Sequence, residues 1–154
     1  MSFKKDVHSW LANALEDPLT QILAQKSHLT HIQLETLLID ILAEKIAGQS
    51  LKYDEKARLR LKRAKISRGS FNRTLRQAKT NAVKAIYTVI LLGYLGFLQD
   101  TTLSPYLEIA NKLDALMKAY QSIPTQSGQP DDHLNAIEVV KEGLENSLKQ
   151  LSEM

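Results

Sequence analysis

The residues whose types and spacing suit chemistry are gathered between Ile66 and Lys84. In the run Ile66-Ser67-Arg68-Gly69-Ser70-Phe71-Asn72-Arg73-Thr74-Leu75, Ser67 or Ser70 can accept backbone N–H groups and open a helix, while Ile66, Phe71 and Leu75 are spaced to enter a core. At about 100° per residue, with Phe71 at the centre of the inner face, Leu75, Ala78, Ala82 and Ile86 fall within about 60° of it. The same geometry turns Arg73, Arg76, Thr80 and Lys84 outward and places Asn72, Gln77 and Lys79 on the flanks. Arginine, asparagine and glutamine can form paired hydrogen bonds with guanine or adenine edges, whereas lysine adds point charge toward phosphates. The chemistry on offer is base-edge reading beside phosphate neutralisation.

The charge distribution points the same way. Twelve Lys or Arg residues stand against two acids between Lys52 and Lys84, a local balance of about +10 in a chain whose net charge is +3. A solvated surface mixes both signs; segregation of this kind is the footprint of a surface that meets a polyanion. Arg58, Arg60, Lys62, Arg63 and Lys65 are expected to hold a nucleic-acid backbone, while Arg68, Asn72, Arg73 and Arg76 reach base edges, with Ser70, Gln77 and Lys79 completing the contact set.

Other chemistries find little support. The chain has no cysteine, hence neither disulfides nor a thiolate zinc site. His28, His31 and Glu35 lie on successive turns, but nothing nearby completes a ligand set, so no metal or other cofactor is expected. No glycine-rich phosphate loop, no Gly-x-Ser-x-Gly elbow and no convincing carboxylate pair is present, so an enzyme is not expected. Trp10, Tyr53, Tyr87, Tyr94 and Tyr106 read as core or interface aromatics, since none belongs to a sheet module that stacks bases. The first fifteen residues carry no apolar signal-peptide core, which leads us to expect a cytoplasmic protein. The most apolar stretch, residues 85–98, has 14 residues where a bilayer span needs about 20, and reads as a buried helix. The polybasic run before it leaves a membrane-anchored alternative.

The elements that must position these residues read as helices. Trp10, Leu11, Leu15 and Leu19 suggest one or two short helices around the Asp17-Pro18 break. Thr30 can cap a helix whose apolar face is Ile32, Leu34, Leu37, Leu38, Ile41, Leu42 and Ile46, with Gly48 as its stop. Residues 56–65 fit a helix through Tyr53, Ala57, Leu61 and Ala64, the preferred reading, and also fit a short strand or wing, because apolar and basic residues alternate. Ser104-Pro105 opens a helix with Tyr106, Ala110, Leu113, Met117 and Tyr120 on one stripe. The loop at residues 121–133 separates it from a last helix carrying Leu134, Ile137, Val140, Leu144, Leu148 and Leu151.

The run from Ile66 to Leu75 resembles the turn and recognition-helix start of sigma factor region 4 and of related four-helix response-regulator domains. Leu29-Thr30 with Gln33-Leu34 is similar to the start of their first helix, so the resemblance covers roughly residues 29–82. Those domains have a short helix and a glycine before the Ile-Ser pair, where residues 53–65 here are longer, basic and free of glycine. The resemblance implies major-groove binding through Arg68, Asn72, Arg73 and Arg76.

These readings combine into an all-α chain: a helix-turn-helix-like basic domain over residues 1–100 and a C-terminal helical hairpin over residues 101–154. The expected function is DNA binding by a transcriptional regulator. An RNA-binding protein using the same face, or a helical module docking on an acidic protein or anionic membrane, are the alternatives. The apolar girth of residues 83–98 suggests a homodimer. The region after Gln99, with nine acids against four lysines, suits an oligomer or partner contact away from phosphates.

Overall fold

Local hydrogen bonds place the helix boundaries in a computed structural model that describes residues 2–62 and 66–97, with single helical positions at Glu108, Asn111, Ala115, Glu138, Glu142 and Glu145. Helix α1 (Phe3–Glu16) stops where Pro18 cannot continue the ladder. Asp17 then starts α2 (Pro18–Lys26), its Oδ2 accepting the Thr20 amide at 2.8 Å. Helix α3 (His31–Ala47) opens on a reciprocal box: Thr30 Oγ1 accepts the Gln33 amide at 3.2 Å and Gln33 Oε1 accepts the Thr30 amide at 3.1 Å. It closes at Gly48, whose φ of 66° is cheap only without a side chain. The one-turn α4 (Tyr53–Ala57) is held by Glu55, which accepts the Lys52 amide at 2.8 Å. The 27-residue α5 (Arg68–Tyr94), about 40 Å long, begins after Ser67, whose hydroxyl accepts the Ser70 amide at 3.1 Å. Ser67 is therefore the cap of the two serines.

The described residues are all-α, with five helices and no strand among them. The helix preferred for residues 56–65 ends at Ala57, and the following residues through Lys62 are turns and bends, neither helix nor strand. Ten residues, Arg58 to Ser67, separate α4 from α5.

Packing divides the chain into two units, Met1–Tyr87 and Thr88–Met154. In the first unit α1 packs on α3 and α2 folds back on α1. The core joins Val7 and Leu11 of α1, Ile39 and Ala43 of α3, Ala57 and Leu59, and Phe71 and Leu75 of α5, with Ile66 packed on its edge. Trp10 is 45% exposed, because α1 buries the stripe Val7, Leu11, Leu15. Helix α3 departs further from its expected face: Ile32, Ile41 and Ile46 are exposed, and Glu35, Thr36, Ile39 and Ala43 are buried. The helix is turned so that two polar residues, Glu35 and Thr36, point inward.

In α5, Phe71, Leu75 and Ala78 are buried as expected, whereas Ala82 and Ile86 are exposed. Among the described residues the inner stripe is buried only over the first three turns of α5. In the second unit, Ile90, Leu91, Tyr94, Leu95 and Phe97 are exposed, so the buried helix expected for residues 85–98 is not what forms. The apolar stripes expected at Tyr106 to Tyr120 and Leu134 to Leu151 lie outside the described residues. No helix among the described residues is long and apolar enough to cross a membrane.

Candidate nucleic-acid interface

The basic cluster is sorted by α3 into buried and exposed members. Lys56, on α4, is buried. Its ammonium lies 2.8 Å from Asp40 Oδ1 and 2.9 Å from Glu44 Oε1, both on α3. Arg60 is buried too: it donates to Thr36 Oγ1 at 2.6 Å and lies 3.5 Å from Glu35 Oε2. The other Glu35 oxygen accepts the Leu61 amide at 2.8 Å, pinning the chain after α4 to α3. Burying a cation costs far more than exposing it unless it is paired and hydrogen-bonded. The inward turn of Glu35 and Thr36 supplies those partners, which explains why α3 does not bury its most apolar stripe. Arg60, expected at a nucleic-acid backbone, is thus a structural residue.

These pairs displace the titration of their members. Burial alone would raise the Asp40 carboxyl, but hydrogen bonds from Lys56 and Lys79 outweigh it and hold the group below its ordinary value. The Lys56 hydrogen bond and the Leu51 amide hold Glu44 low. Burial would lower Lys56, and its bonds to Asp40 and Glu44 outweigh that and raise it. All three groups are ionised across the neutral range.

Helix α5 crosses α3. Lys79 Nζ sits 3.1 Å from Asp40 Oδ2, and Asn81, about 200° further round the helix, donates to Gln33 Oε1 at 3.2 Å. These contacts on either flank, with Phe71 beneath, fix the rotation of α5 about its axis. Arg68, Ser70, Arg73, Arg76, Gln77 and Lys79 are exposed and Asn72 is half-buried. Arg58 and Lys62 are exposed as well, while Arg63 and Lys65 lie outside the described residues. Arg58, Lys62, Arg68, Arg73 and Arg76 make no ion pair among the described residues. The structure therefore leaves Arg73 and Arg76 on the outer side of α5 and Arg68 exposed at its first residue, and takes Arg60 away from them.

An open groove of about 580 Å³ runs along one flank of α5, with Tyr53 of α4 in its wall. Asn72, Arg76, Lys79, Thr80 and Tyr87 line it from the helix. Tyr53 is 40% exposed and Tyr87 is 67% exposed, so of the two places the sequence suggests for them, core or interface, neither lies in the core. The sequence signal was available: Asn72, Arg76, Thr80 and Tyr87 share one face of a helix. The position of Tyr53 opposite them depends on the fold. Among the described residues no cluster of three or more His, Asp or Glu could hold a metal. His28 and His31 are exposed, and Glu35 is occupied by Arg60 and the Leu61 amide.

The fold and surface define an all-α protein with a long, partly amphipathic helix that is cationic on its outer side. The chain matches no family model, no curated protein and no solved structure.

Proposed function

We propose that this protein binds DNA through the outward surface of α5 and acts as a transcriptional regulator. One observation carries the reading: Arg68, Arg73 and Arg76 stand exposed and without ion pairs among the described residues, while the protein's own carboxylates neutralise Lys56 and Arg60 beneath them. If the cluster served stability alone, its outer members would have no reason to gather on one helix. Arginines on a rigid helix, rotated into place by Phe71 and the crossing with α3, suit the major groove, where guanine edges accept paired hydrogen bonds. Arg58 and Lys62 flank the helix as phosphate contacts. The reading needs only a helix presented to the groove; it does not need the short turn of the resembling domains.

The exposed apolar positions Ile90, Leu91 and Tyr94 recur at three- and four-residue spacing along the end of α5, beyond the groove, which favours a homodimer formed on this part of the helix. The acidic residues after Gln99 would then contact a partner protein away from the phosphates. A cytoplasmic regulator fits this description.

Selection from random duplexes at physiological salt is the direct test, and an enriched motif is expected. Arg73→Ala should relax sequence preference by about 1–3 kcal/mol, and Lys62→Ala should weaken all sequences alike. Recovery of unselected sequences, or equal effects from both variants, would refute this division of roles. Duplex RNA competing as well as duplex DNA would transfer the function to RNA.

A further inference from the structure

We infer that the groove between Tyr53 and α5 holds an unpaired segment of nucleic-acid strand, so that the DNA this protein recognises carries single-stranded bases beside duplex. The inference rests on the DNA-binding reading and names its substrate more narrowly. Tyr53 and Tyr87 offer exposed ring surface within one groove, and Arg76 and Lys79 lie between Asn72 and Tyr87 along its wall. Cations that follow a backbone, interleaved with aromatic rings that take bases, make a single-strand channel. A paired base hides its faces within the stack, so a tyrosine ring set in a groove can stack only on a base that has left it.

The Tyr53 ring is positioned by the interior ion pairs. The Lys56 ammonium lies 5.4 Å from the ring centroid and is itself fixed by Asp40 and Glu44. Lys79 is tethered to Asp40 yet keeps 57% of its side chain exposed, so it can still meet a phosphate. The Asn72 side-chain oxygen is buried and has no hydrogen-bond partner. From Asn72 to Tyr87 the groove wall spans about 22 Å of helix. It is open to solvent along this wall, whereas pockets for small ligands enclose most of the ligand. A strand that enters and leaves fits this shape better than a nucleotide held whole.

The test is fluorescence anisotropy of a labelled oligodeoxythymidine and, separately, of a blunt duplex, using the full chain. Tyr53→Ala and Tyr87→Ala are each expected to weaken oligodeoxythymidine binding about tenfold while leaving the blunt duplex unchanged. Tyr53→Phe, which keeps the ring, should bind like the parent. Both tyrosines are exposed, and an unchanged thermal transition will confirm that the variants fold. The inference is overturned if the alanine variants bind oligodeoxythymidine like the parent, if Tyr53→Phe is as weak as Tyr53→Ala, or if thymidine monophosphate competes as strongly as the oligomer. Loss of duplex binding to Arg73→Ala together with tyrosine-independent oligomer binding would remove the groove and keep the DNA reading. Tyrosine-dependent oligomer binding without any duplex binding would do the reverse.

Discussion

At the scale of single residues, Arg60 and Glu35 show how a charge can be spent on structure. Both are buried, and each supplies the other's counter-charge, while Thr36 accepts a hydrogen bond from Arg60 and the Leu61 amide donates one to Glu35. Removing one partner leaves a buried charge uncompensated, so Arg60→Ala should cost about 3–5 kcal/mol in urea unfolding, whereas Arg73→Ala should change stability by under about 0.5 kcal/mol. A mild effect at Arg60 would mean that the pair is solvated. The Asp40 and Glu44 carboxyls are held below their ordinary values of 3.8 and 4.5, so the stability they contribute is complete above those values and is lost as pH falls through the lower folded values. Lys56 is raised above 10.5, so its contribution is complete below that value and is lost as pH rises beyond it. The urea midpoint should therefore be flat with respect to these groups between those limits, and Asp40→Asn should flatten the acid limb below about pH 4. An acid limb unchanged by Asp40→Asn would assign it to other carboxylates.

At the scale of elements, the ends of helices were legible because capping is local. Asp17 before Pro18, Thr30 with Gln33, and Gly48 all act where the sequence places them. Ser67→Ala should remove about 1 kcal/mol by freeing the Ser70 amide, measurable as a lower thermal midpoint. Phe71→Ala, which empties the centre of the buried stripe, should cost about 3–5 kcal/mol. Faces of helices were less legible than ends. Periodicity found Phe71, Leu75 and Ala78 but extended the stripe to Ala82 and Ile86, because apolar spacing continues past the part of α5 that is buried. In α3 it selected the most apolar stripe, while the fold buries the one that also carries Glu35 and Thr36.

At the scale of the molecule, the charge segregation that suggested a polyanion is split into two layers. Lys56 and Arg60 lie inside against α3, and Arg58, Lys62, Arg68, Arg73 and Arg76 lie outside. If those five outer cations meet phosphates or base edges together, the logarithm of DNA affinity should fall with the logarithm of salt at a slope of about −4 to −5. Lys62→Ala should reduce that slope by about one. A salt-independent affinity would remove the electrostatic basis of the proposed function. The homodimer proposed above would cover the apolar residues exposed from Ile90 to Phe97. Sedimentation velocity should show a dimer that Ile90→Glu converts to monomer.

By itself, the sequence determined the all-α class, a break at Asp17-Pro18, a helix start at Thr30 and another at Ser67 or Ser70, the amphipathic opening of α5 and the concentration of positive charge. Each of these depends on residues a few positions apart, so a linear chain carries them in full. Only the tertiary structure decided which cations remain available. Arg60 and Lys56 find their partners 24 and 16 residues away, and Glu35 reaches Leu61 across 26. The rotation of α3 that makes those meetings possible follows from the cost of a buried, unpaired charge, a quantity that no local pattern expresses.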